Sequence, residues 1–155
     1  MAKPTKPAWV LVVRENLSKY EREVLTPETE IRTSADVSRL LGPRLGREDV
    51  EVMVLIALDG QSHVKHLAEI ARGGLHGCAI SARDILRTAL CAGASGFILV
   101  HNHPSGDPTP SSEDVVMTRE VARAAEIVGC RLLDHVILAG KSRHASMFDL
   151  GLIPS

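Results

Sequence analysis

HNHPSGDPTPSSED, residues 101–114, is the stretch on which the reading of this chain turns. It holds two histidines, the adjacent hydroxyls of Ser111 and Ser112, and the carboxylates of Asp107, Glu113 and Asp114, with no long apolar side chain among them. GFILV (96–100) before it has the character of a short buried strand. VVMTREVARAAEIV (115–128) after it has amphipathic helical spacing. A polar segment of this density is badly placed for core packing, because buried polar groups need partners. It reads as a loop carrying chemistry between a strand and a helix.

Working outward from it, the rest of the chain supplies further strands and helices. Residues 1–7 form a proline-broken tail and 9–13 a first short strand, with an edge element expected around 18–25. Ser34 is placed to cap a helix bearing Val37, Leu40 and Leu41, which Gly42-Pro43 is expected to stop. EVMVLIALDG (51–60) is apolar from 52 to 58, as suits a strand covered on both faces. Turn residues 59–62 lead to a returning strand over 64–71, so 51–71 is a hairpin. Ser81 opens a second helix with Ile85, Leu86, Ala89 and Leu90 on its apolar face, ending at Gly93. The third helix spans 112–128 and is closed by Gly129; strands are expected at 132–139 and 146–148. The sum is one α/β domain, a mixed sheet flanked by helices, over 31–155, preceded by a tail and first strand over 1–30.

Bulk composition narrows the function classes. A net charge of −1 and only four Phe, Trp or Tyr residues give no footprint for a nucleic-acid surface, so DNA stays open as a partner but unsupported by charge. Cys78, Cys91 and Cys130 are odd in number and lack a C-x-x-C pair, which points away from a disulfide framework or cysteine zinc site. Each is expected to be a small buried hydrophobe. No run reaches the length of a membrane span, and the reading is a cytoplasmic protein without membrane association.

Within 101–114, His101 and His103 are two apart at a strand end, so both imidazoles project from one face and can reach one point. Two neutral imidazoles and a carboxylate are a common zinc set with one position left open. Asp114 is the candidate carboxylate, against a competing role as the acid of a Ser111-x-x-Asp114 capping box. Ser81-x-x-Asp84 repeats that pattern, but Asp84 aligns with Arg87 and Thr88, whereas Asp114 aligns with Met117, Val121, Ala124 and Val128. An inward-facing carboxylate needs a strong partner, and two histidines holding one zinc ion would provide it. Pro104, Pro108 and Pro110 stiffen the intervening loop. His63, His66, His76 and His144 have bland local settings, and His135, beside Asp134, reads as structural.

His101-x-His103-x7-Ser111-x2-Asp114 resembles the signature of the JAMM (MPN-domain, JAB) metalloproteases, and HNHPSGDPTPS is similar to their RadC branch. The likeness extends from about residue 31 to 153, taking in ARDIL (82–86), Asp134-His135 and the Gly151-Leu152 ending. It implies a cytidine-deaminase-like MPN/JAB fold and one zinc ion on His101, His103 and Asp114. It further implies hydrolysis of a peptide or isopeptide bond in a peptide or protein-conjugate substrate. Glu51 is implied as the general base and Ser111 as the residue that stabilises the oxyanion or holds the water. Glu48 competes with Glu51 on sequence alone. A RadC-like genome-maintenance module acting by binding is the second reading, although residues 1–33 are shorter than the helix-hairpin-helix region that the resemblance places ahead of the domain. An iron oxygenase site is the third, weakened by the helices. A homo-oligomer is compatible with all three.

Overall fold

The computed structural model describes residues 26, 28–73 and 80–154. In chain order these form α1 (Ser34–Leu45), β1 (Val52–Leu58), β2 (Val64–Arg72), α2 (Ala82–Cys91), β3 (Gly96–Asn102), α3 (Ser112–Val128), β4 (Arg131–Ala139) and β5 (Arg143–Ser146). The expectations for 9–13 and 18–25, and for Cys78 and His76, fall outside the described residues.

The unbroken apolar runs occupy the middle of the sheet, as their composition demands. β1 and β3 are buried at every position, and the order is β2-β1-β3-β4-β5. β3 and β4 run parallel, and every other pairing is antiparallel. Alternate residues feed two cores. Val52, Val54, Ile56, Ile98 and Val100 pack under α1; Met53, Leu55, Phe97 and Leu99 pack with residues of α2 and α3. Each fully buried aliphatic or aromatic side chain contributes roughly 1.5–3 kcal/mol relative to exposure. The 51–71 hairpin forms as expected, with Asp59 Oδ1 accepting from the Gln61 and His63 amides in its turn. Among the described residues no helix is long and apolar enough to cross a membrane.

Several local expectations are corrected. α1 is capped by Thr33, not Ser34, through a capping box with Asp36. It also runs through Pro43 to Leu45: the fully buried Leu45 and the Arg44–Glu69 ion pair hold the last turn against the proline penalty. Gly42 permits the approach of that turn to the sheet end, since a Cβ there would lie 2.5 Å from the Lys141 carbonyl oxygen. The last strand is 143–146, not 146–148, because Asp134 Oδ1 takes the Phe148 amide and draws 147–151 into a turn. Leu90 is exposed, contrary to expectation: it lies beyond Leu86, at the outer edge of the stripe formed by Ile85, Ala89 and Leu86. Cys91 is exposed on the side of α2 away from Ala89, while Cys130 is buried as expected.

Candidate metal centre

The site forms where β3 ends and α3 begins. His101 continues the Phe97–Leu99 face of β3 and is fully buried; His103 lies just past the strand, its amide donating 2.8 Å to the Leu138 carbonyl on β4. Their Nε2 atoms are 3.0 Å apart. The connecting loop bends at Gly106, whose φ of +86° is a left-handed conformation that favours glycine. That bend returns the Asp107 carbonyl to within 2.8 Å of His103 Nδ1, and the Asp107 side chain accepts from the Thr109 amide and hydroxyl. Asp107 is thus loop chemistry, but its backbone orients a ring.

Asp114 does both jobs between which the sequence leaves a choice. Its amide donates to Ser111 Oγ at 3.1 Å, and its Oδ2 accepts from the Ser111 amide at 2.9 Å, closing a capping box. The same carboxylate is 4% exposed, with Oδ1 3.4 Å from His101 Nε2 and Oδ2 3.2 Å from His103 Nε2. Burial alone would raise its pKa, but the neighbouring His101 and His103 rings and the Ser111 amide outweigh burial and hold it below the usual carboxylate range. The His103 pKa is raised, first by the hydrogen bond to Asp114, with the Asp107 carbonyl and the charges of Asp114 and Glu51 adding and burial opposing. Asp84, by contrast, has a side chain 45% exposed beside Arg87. The buried face of α3 is Asp114, Thr118, Val121 and Ala125; Met117 and Ala124 lie at its margin, and Val128 is exposed, contrary to expectation.

His101, His103 and Asp114 offer one ligand atom each within 4.8 Å of one another. Their shortest separations, 3.0, 3.2 and 3.4 Å, can be set against a tetrahedral zinc ion. With ligands about 2.0–2.1 Å from the ion, neighbouring ligand atoms lie roughly 3.3–3.4 Å apart. The 3.4 Å separation belongs to Asp114 Oδ1 and the 3.2 Å one to Oδ2, so the carboxylate straddles the two rings. A nitrogen–nitrogen–carboxylate set this close and largely buried fits a small divalent cation.

Around this triad stand residues of several elements. Continuing the β1–β3 ladder from Met53↔His101 by two residues sets Glu51 across from His103. Glu48 is engaged elsewhere, its two oxygens 2.8 and 3.1 Å from Arg72 nitrogens. Ser111 uses a lone pair in the cap and keeps its O–H as a donor, so capping does not consume the hydroxyl. Sequence reasoning passes over Asn102 and Thr118, and reads His135 as structural without linking it to the site. Asn102 accepts from the Val52 amide at 2.7 Å and donates to the Val50 carbonyl at 3.0 Å, clamping the backbone on both sides of Glu51. His135 Nε2 is 2.7 Å from His101 Nδ1, and Thr118 Oγ1 is 2.6 Å from His135 Nδ1. His135 is not one of the grouped ligands, and burial first of all pushes its pKa well below the ordinary histidine range. A histidine inside the apolar run LLDHVILA was the available signal, because a buried imidazole needs partners.

The fold and site together define an α/β domain with a candidate two-histidine, one-aspartate metal centre at a strand-to-helix junction. A model of the RadC-like JAB domain matches residues 31–152, and the chain belongs to that family. Relatives include UPF0758 proteins from Methanosarcina acetivorans (31% identical over 148 residues; 96% of this chain, 64% of the relative), Clostridium perfringens (35% over 151; 97% and 66%) and Carboxydothermus hydrogenoformans (38% over 144; 92% and 62%). The chain spans just under two thirds of the length of these curated relatives.

Proposed function

We propose that this chain is a zinc-dependent metallopeptidase of the JAMM type, hydrolysing a peptide or isopeptide bond. The observation that carries the proposal is the convergence of His101 Nε2, His103 Nε2 and the Asp114 carboxylate, whose Oδ1 lies 3.4 Å from the first ring and whose Oδ2 lies 3.2 Å from the second, with one ligand atom from each residue within 4.8 Å of the others. Membership of the JAB family, which includes metalloproteases, supports the choice of reaction. A mixed sheet with helices departs from the β-barrel setting expected of the iron alternative.

When bound, zinc supplies Lewis acidity, polarising a carbonyl and easing deprotonation of water near neutral pH. Glu51, set across from His103, takes the water proton as general base and delivers it to the leaving amine as general acid. Ser111 donates its O–H toward the carbonyl oxygen as negative charge builds there. Asn102 holds the backbone at Val50 and Val52 so that Glu51 keeps its place.

The test is an assay of zinc-loaded protein against peptide and isopeptide substrates, with Glu51→Gln beside it. The variant is expected to retain zinc and lose turnover by about 10²- to 10⁴-fold. Full activity in Glu51→Gln would remove Glu51 from the proton-transfer role.

A further inference from the structure

Two hydrogen-bond chains lead from the metal-facing histidines back into the fold, and each ends on a backbone carbonyl. A carbonyl oxygen only accepts, so it sets the direction of every bond leading to it. The short chain is His103 Nδ1 at 2.8 Å from the Asp107 carbonyl. Nδ1 therefore carries the proton, and a neutral His103 has its lone pair on Nε2. The long chain runs from His101 Nδ1 to His135 Nε2 at 2.7 Å, and from His135 Nδ1 to Thr118 Oγ1 at 2.6 Å. It ends with Thr118 Oγ1 at 2.6 Å from the Asp114 carbonyl oxygen.

Two oxygens at 2.6 Å need a proton between them, and only the threonine hydroxyl has one to give. Thr118 directs that proton to the Asp114 carbonyl and offers His135 a lone pair. His135 then donates from Nδ1 and accepts at Nε2, so His101 donates from Nδ1. What remains is a bare Nε2 on His101, 3.0 Å from Nε2 of His103 and beside the Asp114 carboxylate. The acceptors left facing one another converge where a cation would satisfy them all, whereas the two oxygens at the buried end have only a proton to join them. Reversing the chain would protonate His101 at Nε2 and leave the two oxygens in contact without a hydrogen. His101, Thr118 and His135 are each 0% exposed, so water does not compete. The other neighbours do not redirect the chain. Met147 Sδ, 3.5 Å from the hydroxyl, is a weak acceptor, and the Asp134 carboxylate goes to the His135 and Phe148 amides and to Ser146 Oγ.

We infer that His135 and Thr118 are positioning residues that hold His101 in its Nδ1–H tautomer, presenting the Nε2 lone pair to a divalent cation before that cation arrives. The inference rests on metal binding by the triad and is independent of the reaction.

Nitrogen-15 NMR of the metal-free chain (residues 1–155) in alkaline buffer reads the tautomers directly. Proton-bearing Nδ1 and bare Nε2 are expected at both His101 and His135; a proton on Nε2 of either overturns the inference. Zinc affinity, measured by competition with a chelator, gives the second readout. Thr118→Val keeps the shape but removes the acceptor for His135, and zinc binding is expected to weaken about tenfold, with His135→Leu weakening it by about 10- to 100-fold. Thr118→Ser is expected to restore wild-type affinity. Wild-type affinity in Thr118→Val overturns the inference while leaving the metal reading intact. Wild-type protein that takes up no zinc overturns both.

Discussion

Asp84 and Asp114 stand at the same place in two helix starts, three residues after a serine whose hydroxyl takes the aspartate amide at 3.2 and 3.1 Å. Their carboxylates differ in cap partner, the Ser81 hydroxyl for Asp84 and the Ser111 amide for Asp114, and above all in surroundings, so they serve as a comparison pair. Removing the Asp114 carboxylate deletes one of three converging ligands, so Asp114→Ala is expected to lose bound zinc. Asp84→Ala is expected to keep it and to cost about 1 kcal/mol or less, the scale of a helix-start interaction on the surface. Elemental analysis after dialysis separates the two; equal metal content would remove Asp114 from the ligand set. Asn102 tests a different kind of dependence. Asn102→Leu strands the buried Val52 amide, at about 1–3 kcal/mol. It also releases the backbone on either side of Glu51. The expected result is lower stability with zinc retained and kcat reduced; an unchanged kcat would confine Asn102 to structure.

The hydrogen bonds from Arg72, on β2, tie it to Glu48, ahead of β1, and hold the Glu48 carboxyl below its ordinary value of 4.5. A folded pKa below the unfolded one means that the unfolded chain binds more protons in between. The stabilisation is therefore complete above about pH 4.5 and lost as pH falls through the lower folded value. Glu48→Gln is expected to cost under about 1 kcal/mol at neutral pH, because the pair is partly exposed, and nothing in strong acid. Urea titrations at the two extremes measure the difference, and a gap that widened in acid would contradict the assignment. Elements whose ends are punctuated locally were legible in the sequence. α3 matches 112–128 because Ser111 caps its start and Gly129, at φ +71°, ends it. α1 was not legible past Pro43, because what extends it is burial of Leu45 and the reach of Arg44 to Glu69 on β2. The end of β5 was hidden for the same reason: Asp134, on another strand, sets the turn that follows.

At the scale of the molecule, the three candidate ligands were readable because they sit within fourteen residues, where strand and helix spacing predict direction. The rest of the site comes from sheet neighbours. β1 lies antiparallel beside β3 and brings its N-terminal end, with Glu51, to the C-terminal end of β3; β4 lies parallel on the other side and brings His135. No local spacing encodes either arrangement, so only the family resemblance points to Glu51, and nothing near His135 in sequence ties it to the site. The same geometry gives a cation leverage over the whole fold. A metal on His101, His103 and Asp114 joins the end of the central strand to the start of the helix covering it. Unfolding must therefore release the metal. Free zinc at about 100 times its dissociation constant would add about 2.7 kcal/mol to the stability of the folded chain. For a domain of this size that is a rise in Tm of roughly 5–11 °C, reversed by a chelator. Asp114→Ala, short of a ligand, is expected to show no such rise, while Glu51→Gln shows it in full. A Tm indifferent to zinc in the wild-type chain would place the cation, if one binds, away from this junction.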